Sequence, residues 1–556
     1  WSHMAEGDND RLGQMEALLV PSEAAGKRVD LYISANAPDQ ISRARVQALV
    51  RQGHVTINGV VPRGTSTKIA EGDVVRFVMP ESEEAIPQPE NIPLDILHED
   101  AELFVINKPA GMVVHPAPGT PSGTPALMKT AHEKWGQLEW SSLLAPAIER
   151  AEIGFNVSSR LAGLIAEDGE NLTRDETAKN YFFDDNGMPL REGALLKNPD
   201  YAKTLKTLAQ NGTDGFYFGP IAQDIVAKVQ GASWNPGVLS LKDLANYTTK
   251  ERDPVCVDYR GYEVCGMGPP SSGALTVGQI LGLIEPFDIA GFGPKSAESW
   301  RLIGDASRLA FADRGRYMAD IDYVPMPLTG LLDENYLAER SRLLHRGDAL
   351  SDIEPGHPAF SHAMRLADDV AIEFPSTSHF SIVDAMGNVV SMTTTIENGF
   401  GSRLMVRGFM LNNELTDFSF KTHSDGVPIA NRLEPGKRPR SSMAPTIVMQ
   451  AGKPVIAAGS PGGSRIIGYV AQSLIAMIDW GMDPQQAINM PHLVNRFGTF
   501  DVEAGTTAEI LEPHLQQRGF KTSIRDLNSG LHIIKITDQG LIGGADPRRE
   551  GIVIGE

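Results

Sequence analysis

The sequence lacks several features that would place it in a common class of protein. It has only two cysteines in 556 residues, too few for a disulfide framework. No apolar run approaches the roughly 18 residues of a membrane-spanning helix, and no cluster of potential ligands has the spacing of a metal site. We therefore expect no membrane association, no metal and no organic cofactor. The first residues carry no export signal, so the sequence predicts no compartment.

Basic residues are scarce relative to acidic ones. The chain has 50 Lys and Arg against 70 Asp and Glu, a net charge of −20, which argues against a chain devoted as a whole to nucleic acid. Residues 41–80 reverse this balance, since they contain six basic residues and only two acidic ones, Glu71 and Asp73. Such a patch attracts phosphates, but a solvated helix face has the same composition. The charges alone leave both interpretations open.

The two cysteines, Cys256 and Cys265, flank the sequence VDYRGYEV, which has the pattern of a β-hairpin. They could face each other across this hairpin. Two free buried thiols are the simpler interpretation, and we expect these.

The chain is too long for one ordinary core, so we expect two or more domains. Alternation before Asn58-Gly59 predicts a strand and turn near the N-terminus. Helical spacing follows from residue 125, with Leu127, Ala131 and Trp135 on one face. Residues 344–376 show little periodicity and predict an exposed, mobile loop. The predicted division is a purification-tag remnant and tail (1–16), then segments 17–80, 81–124, 125–376 and 377–556.

The loop 344–376 ends where a strand begins, in the sequence EFPSTSHFSIVDAMGN. Ser376, Thr377 and Ser378 open this strand, and His379 follows. A hydroxyl nucleophile needs a base, yet the Gly-x-Ser-x-Gly turn of many hydrolases is absent here. A threonine at a chain N-terminus can use its own α-amino group, whose pKa is roughly 7.7 to 8.0. Thr377 reaches that state only by cleaving the bond to Ser376. On these residues alone, a plain polar loop end is the alternative.

Further motifs follow in order: TSHFSIVDAMGNVVSMTTTIENGFGSRL, FMLNNELTDFS, PGKRPRSSMAPTIV, GSPGGSRII and GADPRR, with YRGYEV, PPSSGA and ADRGRYMAD upstream. From about residue 125 the chain resembles the γ-glutamyltransferase family of N-terminal-nucleophile hydrolases. The resemblance implies an αββα sandwich and self-cleavage into residues 1–376 and 377–556, which stay associated. It also implies transfer or hydrolysis of γ-glutamyl groups, from amides such as glutathione, through an ester on Thr377.

The same resemblance assigns the catalytic residues. Thr377 corresponds to the nucleophile, and Thr395 corresponds to the threonine that supports it. Gly462 and Gly463 correspond to the glycines whose backbone N–H groups form the oxyanion hole, where a glycine pair lets the substrate approach closely. His379 is not the base in this family, so we expect a structural histidine. An ordinary strand threonine and a tight glycine turn are the alternatives for Thr395 and the glycines.

Substrate binding is assigned in the same way. Ser441 and Ser442 correspond to the pair that holds the substrate α-carboxylate, and Asp417 corresponds to the acid that binds the α-amino group. Glu397 and Glu414 occupy neighbouring amino-binding positions, which suits a cationic amine. Capping and turn roles are the alternatives for Asp417 and Ser441.

The sequence departs from this family at its front. Family members carry further residues ahead of the point matched by Pro125, including an arginine in an Arg-Glu-x-Ala-Pro-like stretch that clamps the substrate carboxylate. No such stretch is found. We therefore expect a sandwich whose front part is missing, and a carboxylate site without that cation.

The N-terminal region resembles a different family. The sequence ISRARVQALVRQGHVTINGVV resembles the small RNA-binding domain of ribosomal RNA pseudouridine synthases, and IPLDILHEDAELFVINKPAGMVVHPAPGTPSGT resembles the start of their catalytic domain. The synthase signature His-Arg-Leu-Asp does not follow, so we expect no synthase activity. The resemblance implies an α+β RNA-binding-type domain at 17–80, fused to the enzyme, with Arg43, Arg45 and Arg51 as RNA-binding candidates.

Two other functions stay open. A related acylase could remove a glutaryl or similar side chain from a β-lactam nucleus, although Asp417, Glu397 and Glu414 argue against a substrate without an amino group. Alternatively, the chain could be a catalytically impaired fusion that binds structured RNA through residues 17–80.

Overall fold

The computed structural model describes residues 15–36, 46, 49–50, 54–78, 95–99, 104–107, 124–362, 365–369 and 376–555. The RNA-binding candidates Arg43, Arg45 and Arg51 lie outside these residues. The chain forms two compact units, one of Trp1–Pro93 with Ala504–Glu509 and one of Leu94–Glu503 with Ile510–Glu556.

The first unit contains a small antiparallel sheet. Its strands are Met15–Leu19, Val74–Val78 and Val55–Ile57, in that spatial order, and the helix Val29–Asn36 accompanies them. Asn58 and Gly59 both have positive φ, 52° and 82°, as the predicted Asn-Gly turn requires. The core contains buried aliphatic and aromatic residues, among them Val29, Ile33, Val55, Val75 and Phe77.

The second unit is built on a six-stranded antiparallel sheet. Its strands, in spatial order, are Gly540–Ala545, His532–Thr537, Lys453–Gly459, Thr446–Gln450, Tyr262–Gly266 and Val255–Tyr259. The hairpin of Thr377–Val383 and Val389–Thr395, whose first strand begins where the sequence predicts a strand, packs on this sheet against Lys453–Gly459 and His532–Thr537. This packing holds the strand that begins with Thr377 against two strands of the sheet.

Helices form a further layer on the six-stranded sheet. Gly273–Ile284 and Ile466–Ile478 are apolar and buried over most of their length, and they pack on each other and on the sheet. The longest helix, Ala297–Tyr317, packs against Gly273–Ile284. No helix among the described residues is both long enough and apolar enough to span a bilayer.

The remaining elements are short or lie away from the sheet. The other α-helices are Thr124–Trp135, Trp140–Ile153, Ser159–Glu167, Gly169–Leu172, Glu176–Phe182, Pro199–Asn211, Asp214–Tyr217, Pro220–Gln230, Leu241–Ala245, Ile289–Phe292, Leu328–Leu331, Glu334–Ser341, Pro484–Asn489 and Glu512–Gln517. The other strands are Asp95–Glu99, Phe104–Asn107, Phe155–Asn156, Leu195–Leu196, Met405–Val406, Phe409–Met410, His423–Ser424, Val427–Pro428, Leu493–Asn495, Thr499–Glu503 and Lys521–Arg525.

The prediction of free thiols is wrong. Cys256 and Cys265 are directly paired across the hairpin of Val255–Tyr259 and Tyr262–Gly266, and their sulfur atoms form a disulfide. The residues of a two-residue hairpin turn fix this register, which brings the two side chains to the same face.

The prediction that residues 344–376 are exposed is also wrong in part. The described residues after the 3-10 turn Arg342–His345 contain no helix or strand until Thr377, as expected, but Pro355, Gly356 and Pro358 are buried. The Tyr317 hydroxyl donates to the Gly356 carbonyl at 2.8 Å. Residues 363–364 and 370–375 lie outside the described residues. The helical prediction near residue 127 holds, but Leu127 and Trp135 are exposed rather than packed.

Candidate active site

The candidate nucleophile lies at the first residue of its strand. Thr377 pairs directly with Thr395 of the neighbouring strand, so the two β-branched side chains lie side by side on one face. The Thr377 hydroxyl donates to Thr395 Oγ1 at 3.3 Å. Thr377 is 9% exposed, which leaves it held by the fold yet within reach of a ligand.

Thr395 also contacts the bond that self-cleavage would break. Its hydroxyl donates to the carbonyl oxygen of Ser376 at 2.6 Å and accepts from the Glu397 N–H at 2.9 Å. A hydroxyl has one proton and two lone pairs, so these bonds and the one from Thr377 use all three. Thr395 therefore polarises the Ser376 carbonyl while it orients the Thr377 hydroxyl.

A half-buried arginine fixes the other side of the nucleophile's backbone. Arg549 donates to the Thr377 carbonyl oxygen at 3.0 Å and to the Asn528 carbonyl at 3.1 Å. Burial lowers the pKa of the Arg549 guanidinium to about 10. The motif GADPRR contains Arg549, but nothing in this local pattern indicates a contact with Thr377.

His379 is unsuited to act as the base. Its ring nitrogens lie 2.8 Å from Thr393 Oγ1 and 3.1 Å from Ser381 Oγ. Burial, with a smaller contribution from His532, lowers its pKa to about 3, so the imidazole is neutral at physiological pH. The ring packs against Gly459, where a β-carbon would lie 2.2 Å from His379 Cε1. These contacts fit the structural role predicted for this histidine.

The glycine pair follows the strand Lys453–Gly459 after two intervening residues, Ser460 and Pro461. Gly462 and Gly463 have φ of 142° and 59°, a region that favours glycine. A β-carbon on Gly462 would lie 2.7 Å from the ring of Tyr469. A cavity of about 250 Å³ is lined by Pro461, next to this pair, and by Thr377 and Arg549. The loop that carries the glycine pair thus lies close to the nucleophile.

The three acidic residues predicted to bind the substrate amino group follow Thr395 in the chain. Glu397 is buried and has a φ of 73°, a costly backbone conformation for a residue with a β-carbon. Asn413 Nδ2 donates to Glu397 Oε2. Glu414 and Asp417 are the ends of the 3-10 turn Glu414–Asp417, in which Asp417 is buried and Glu414 is half-buried. Strain held at a buried carboxylate is typical of a functional position.

One asparagine links the acidic segment to the serine pair. Asn431 Nδ2 donates to the Asp417 carbonyl at 2.8 Å, and its Oδ1 accepts from the Arg440 N–H at 3.0 Å. Ser441 and Ser442 follow Arg440. The fold therefore brings the two candidate substrate-binding segments together through a buried amide.

The serine pair is in contact with a cation. Arg314, on the helix Ala297–Tyr317, donates to Ser442 Oγ at 2.7 Å and to Ser272 Oγ at 2.8 Å. Arg314 and Ser442 are both buried. The motif ADRGRYMAD contains this arginine, but nothing in its local pattern indicates a contact with a serine 128 residues away.

Comparison with known proteins supports what this geometry suggests. The family model for gamma-glutamyltranspeptidase matches residues 90–556. The chain belongs to the gamma-glutamyltranspeptidase family. The family match begins at residue 90, inside the segment 81–124. It therefore starts ahead of residue 125, from which the motifs predicted the resemblance.

Individual relatives agree with the family match. The glutathione hydrolase proenzyme of Bacillus subtilis (strain 168) is 37% identical over 453 residues, which are 79% of this chain and 75% of that protein. The glutathione hydrolase proenzyme of Escherichia coli (strain K12) is 36% identical over 451 residues, 78% of this chain and 74% of that protein. The chain is therefore an enzyme of the hydrolase and transferase class to which this gamma-glutamyltranspeptidase family belongs.

A solved structure shows a similar fold. The crystal structure of cephalosporin acylase from Bacillus halodurans superposes with a TM-score of 0.67 at 25% identity, covering 78% of this chain and 77% of that one. The mixed helix and strand fold is thus that of the gamma-glutamyltranspeptidases and related acylases.

Proposed function

We propose that this chain cleaves itself between Ser376 and Thr377 and then transfers or hydrolyses γ-glutamyl groups through an ester on Thr377. The observation that carries the proposal is the hydroxyl arrangement of Thr377, Thr395 and the Ser376 carbonyl, in a chain whose relatives are glutathione hydrolase proenzymes.

Self-cleavage uses groups that are already in contact. Thr377 Oγ1 attacks the Ser376 carbonyl carbon, and the developing oxyanion accepts a hydrogen bond from Thr395 Oγ1, the donor that contacts this oxygen at 2.6 Å and keeps its proton. The C–N bond then breaks as the Thr377 nitrogen takes up the proton lost by the hydroxyl, which leaves an ester. Water then hydrolyses the ester, which gives a carboxylate on Ser376 and restores the hydroxyl of Thr377, whose α-amino group is already free.

That α-amino group serves as the base in turnover. Its ordinary pKa lies near neutrality, whereas His379 is buried and neutral and contacts Thr393 instead. Thr377 attacks the γ-carbonyl of the substrate, the amine leaves, and water or an amino acid takes the γ-glutamyl group from the ester. The N–H groups of Gly462 and Gly463 would stabilise the oxyanion.

The buried carboxylates favour a substrate with an α-amino group. Asp417 and Glu397, with Glu414 beside them, offer carboxylates to a cationic amine. Ser441 and Ser442 offer hydroxyl protons to the α-carboxylate. Together these groups fit the γ-glutamyl end of a glutathione-like amide, with the two fragments remaining associated after cleavage.

The nucleophile is tested by intact mass and a denaturing gel. The wild-type chain is expected to give two fragments divided between Ser376 and Thr377, and Thr377→Ala is expected to stay whole. An intact wild-type chain, or cleavage at the same bond in Thr377→Ala, would contradict the proposal. Hydrolysis of γ-glutamyl-4-nitroanilide by the cleaved protein then tests the turnover.

The structural similarity to cephalosporin acylase keeps a glutaryl-type acylase as a second candidate. A glutaryl group has no α-amino group and therefore offers no cation to the carboxylates of Asp417 and Glu397. We therefore expect γ-glutamyl-4-nitroanilide to be hydrolysed faster than glutaryl-4-nitroanilide, and the reverse order would favour the acylase.

RNA binding through residues 17–80 remains a separate prediction, because the family match begins at residue 90 and the basic candidates lie outside the described residues. A salt-dependent mobility shift of structured RNA, lost on joint Arg43→Ala and Arg45→Ala substitution, would support it. Binding that is indifferent to these changes would refute it.

A further inference from the structure

Arg314, the cation in contact with the serine pair, is a part of the site to which the sequence motifs assigned no role. The Arg314 guanidinium reaches from the last turn of Ala297–Tyr317 to the hydroxyl of Ser442, at 2.7 Å. Arg314 is 1% exposed and Ser442 is 3% exposed, so the contact is screened very little by water. A charge-assisted hydrogen bond in such a place is stronger than one at the surface.

The direction of this hydrogen bond decides what Ser442 can do. A guanidinium has only donors, so Ser442 Oγ must accept from Arg314, and its own proton is left to donate. Among the residues that the structure describes, no acceptor contacts that proton. Ser442 is thus prepared as a donor to a group outside the described protein atoms.

Ser441 is prepared in the same sense. Its Oγ accepts from the Met443 N–H at 3.2 Å, and its proton also contacts no acceptor within the described part of the chain. Its backbone is held on both sides, because the Ser441 carbonyl accepts from Ser272 Oγ at 2.7 Å and the Ser441 N–H donates to the Pro270 carbonyl at 3.0 Å. Two adjacent hydroxyls, each of which accepts one hydrogen bond and keeps its proton to donate, match the two oxygens of a carboxylate.

Ser272 connects the arginine to both serines. It accepts from Arg314 Nε at 2.8 Å and donates to the Ser441 carbonyl. One guanidinium therefore contacts Ser442 directly and holds Ser441 through a single intervening hydroxyl. Replacing this planar fork by the point charge of a lysine would preserve the charge but not both contacts.

We propose that Arg314 is the positioning residue of the carboxylate subsite: it directs the Ser442 proton toward the substrate α-carboxylate and supplies the cation of that subsite one hydroxyl away. This proposal rests on the proposed function for the assignment of the carboxylate to the serines. It replaces the expectation of a carboxylate site without a cation by a site whose cation comes from the helix Ala297–Tyr317.

The test measures ligand binding, so that it does not depend on turnover. L-Glutamate and 4-aminobutyrate differ only in the α-carboxylate, and their dissociation constants for the purified, self-cleaved protein are compared by calorimetry. We expect L-glutamate to bind more tightly in the wild type, by about 10- to 100-fold for a charge-assisted contact. Arg314→Lys and Ser442→Ala should each remove about tenfold or more of this preference and leave 4-aminobutyrate within about threefold.

The pathway through Ser442 is tested by combining the two substitutions. If Arg314 acts through Ser442, the double variant should show the same preference as Ser442→Ala alone, because the effects of coupled residues are not additive. Additive losses would overturn the proposal and point to a direct contact between Arg314 and the ligand. The matched control is Arg301→Lys, a buried arginine on the same helix that pairs with Glu298 and should leave the preference unchanged.

The outcomes separate this inference from the proposed function. A wild type that binds L-glutamate no better than 4-aminobutyrate refutes the inference, even if γ-glutamyl anilide is hydrolysed. A wild type that prefers L-glutamate through Arg314 and Ser442, but hydrolyses no γ-glutamyl anilide, supports the inference and refutes the proposed function. If Arg314→Lys fails to self-cleave, the preference of Ser442→Ala decides: no loss there refutes the proposal.

Discussion

The contact between Thr395 and the Ser376 carbonyl gives a sharp prediction about self-cleavage. Thr395→Val keeps the β-branched shape that a strand prefers but removes the hydroxyl, and with it the only described donor to this carbonyl oxygen. Losing one donor to a developing oxyanion costs about 2.7 to 4 kcal/mol, or 10²- to 10³-fold in rate. We therefore expect Thr395→Val to cleave itself at least about 100-fold more slowly than the wild type.

Part of the loss would come from the ground state. The Glu397 N–H donates to Thr395 Oγ1 and would lose that acceptor, at a cost of about 1 to 3 kcal/mol in stability. A thermal melt of the uncleaved variant separates this effect from the rate. A folded Thr395→Val whose melting temperature is lowered by only several degrees still reports on the contact with the Ser376 carbonyl.

The assay follows the fraction of intact chain against time, by intact mass, after synthesis in a cell-free reaction. Thr395→Ser retains the hydroxyl and should cleave within about tenfold of the wild type, since only a methyl group is lost. Thr394→Val is the control for a threonine-to-valine change on the same strand, because neighbouring strand residues face opposite sides. Equal cleavage rates for Thr395→Val and Thr395→Ser would refute the role of this hydroxyl.

Three further predictions concern separate parts of the site. Burial lowers the pKa of His379 to about 3, below its unfolded value near 6.5, so folding stability is lost as pH falls from about 6.5 toward 3, by up to ~1.4 kcal/mol per pH unit. Urea titrations across this range measure the free energy of unfolding at each pH, and this free energy should change less steeply with pH in His379→Asn than in the wild type. His423→Asn, which replaces an exposed histidine, should keep the pH dependence of the wild type. The same pH dependence in all three proteins would contradict the buried neutral imidazole. Gly462→Ala should lower kcat for γ-glutamyl-4-nitroanilide by at least about tenfold, because the new methyl group meets Tyr469 and the φ of 142° is strained. Gly481→Ala, with positive φ but open space around it, should leave kcat within about threefold, and similar losses in both would show that backbone strain alone is responsible. Asp417→Asn should reduce kcat/KM for γ-glutamyl-4-nitroanilide by about 10- to 100-fold with a much smaller change for glutaryl-4-nitroanilide; a parallel fall for both substrates would mean that Asp417 does not bind the amino group.

Local patterns were sufficient for the elements around the site. The sequence after residue 376 predicted a strand, and the structure contains it as the first strand of the hairpin Thr377–Thr395. The apolar helix Ile466–Ile478 and the Asn58-Gly59 turn follow from residue types in the same direct way. The prediction that the loop 344–376 is exposed was wrong at Gly356, whose carbonyl accepts a hydrogen bond from the Tyr317 hydroxyl. Burial of irregular backbone depends on partners elsewhere in the chain, which a local pattern does not show.

The sequence by itself determined which residues could carry the chemistry. The order of the motifs singled out Thr377, Thr395, Asp417 and the glycine pair, since residue type and spacing along one strand or turn are properties of the chain. It equally predicted that His379 would be structural, although not that its imidazole would be held neutral by burial.

Only the tertiary structure decided the contacts between distant segments. The register of two strands paired Cys256 with Cys265, helix packing carried Arg314 to a serine 128 residues away, and the C-terminal Arg549 reached the Thr377 carbonyl across 172 residues. Each contact depends on how elements pack against one another, and a local pattern of polar and apolar residues specifies which face of an element is buried but not which side chain it will meet there.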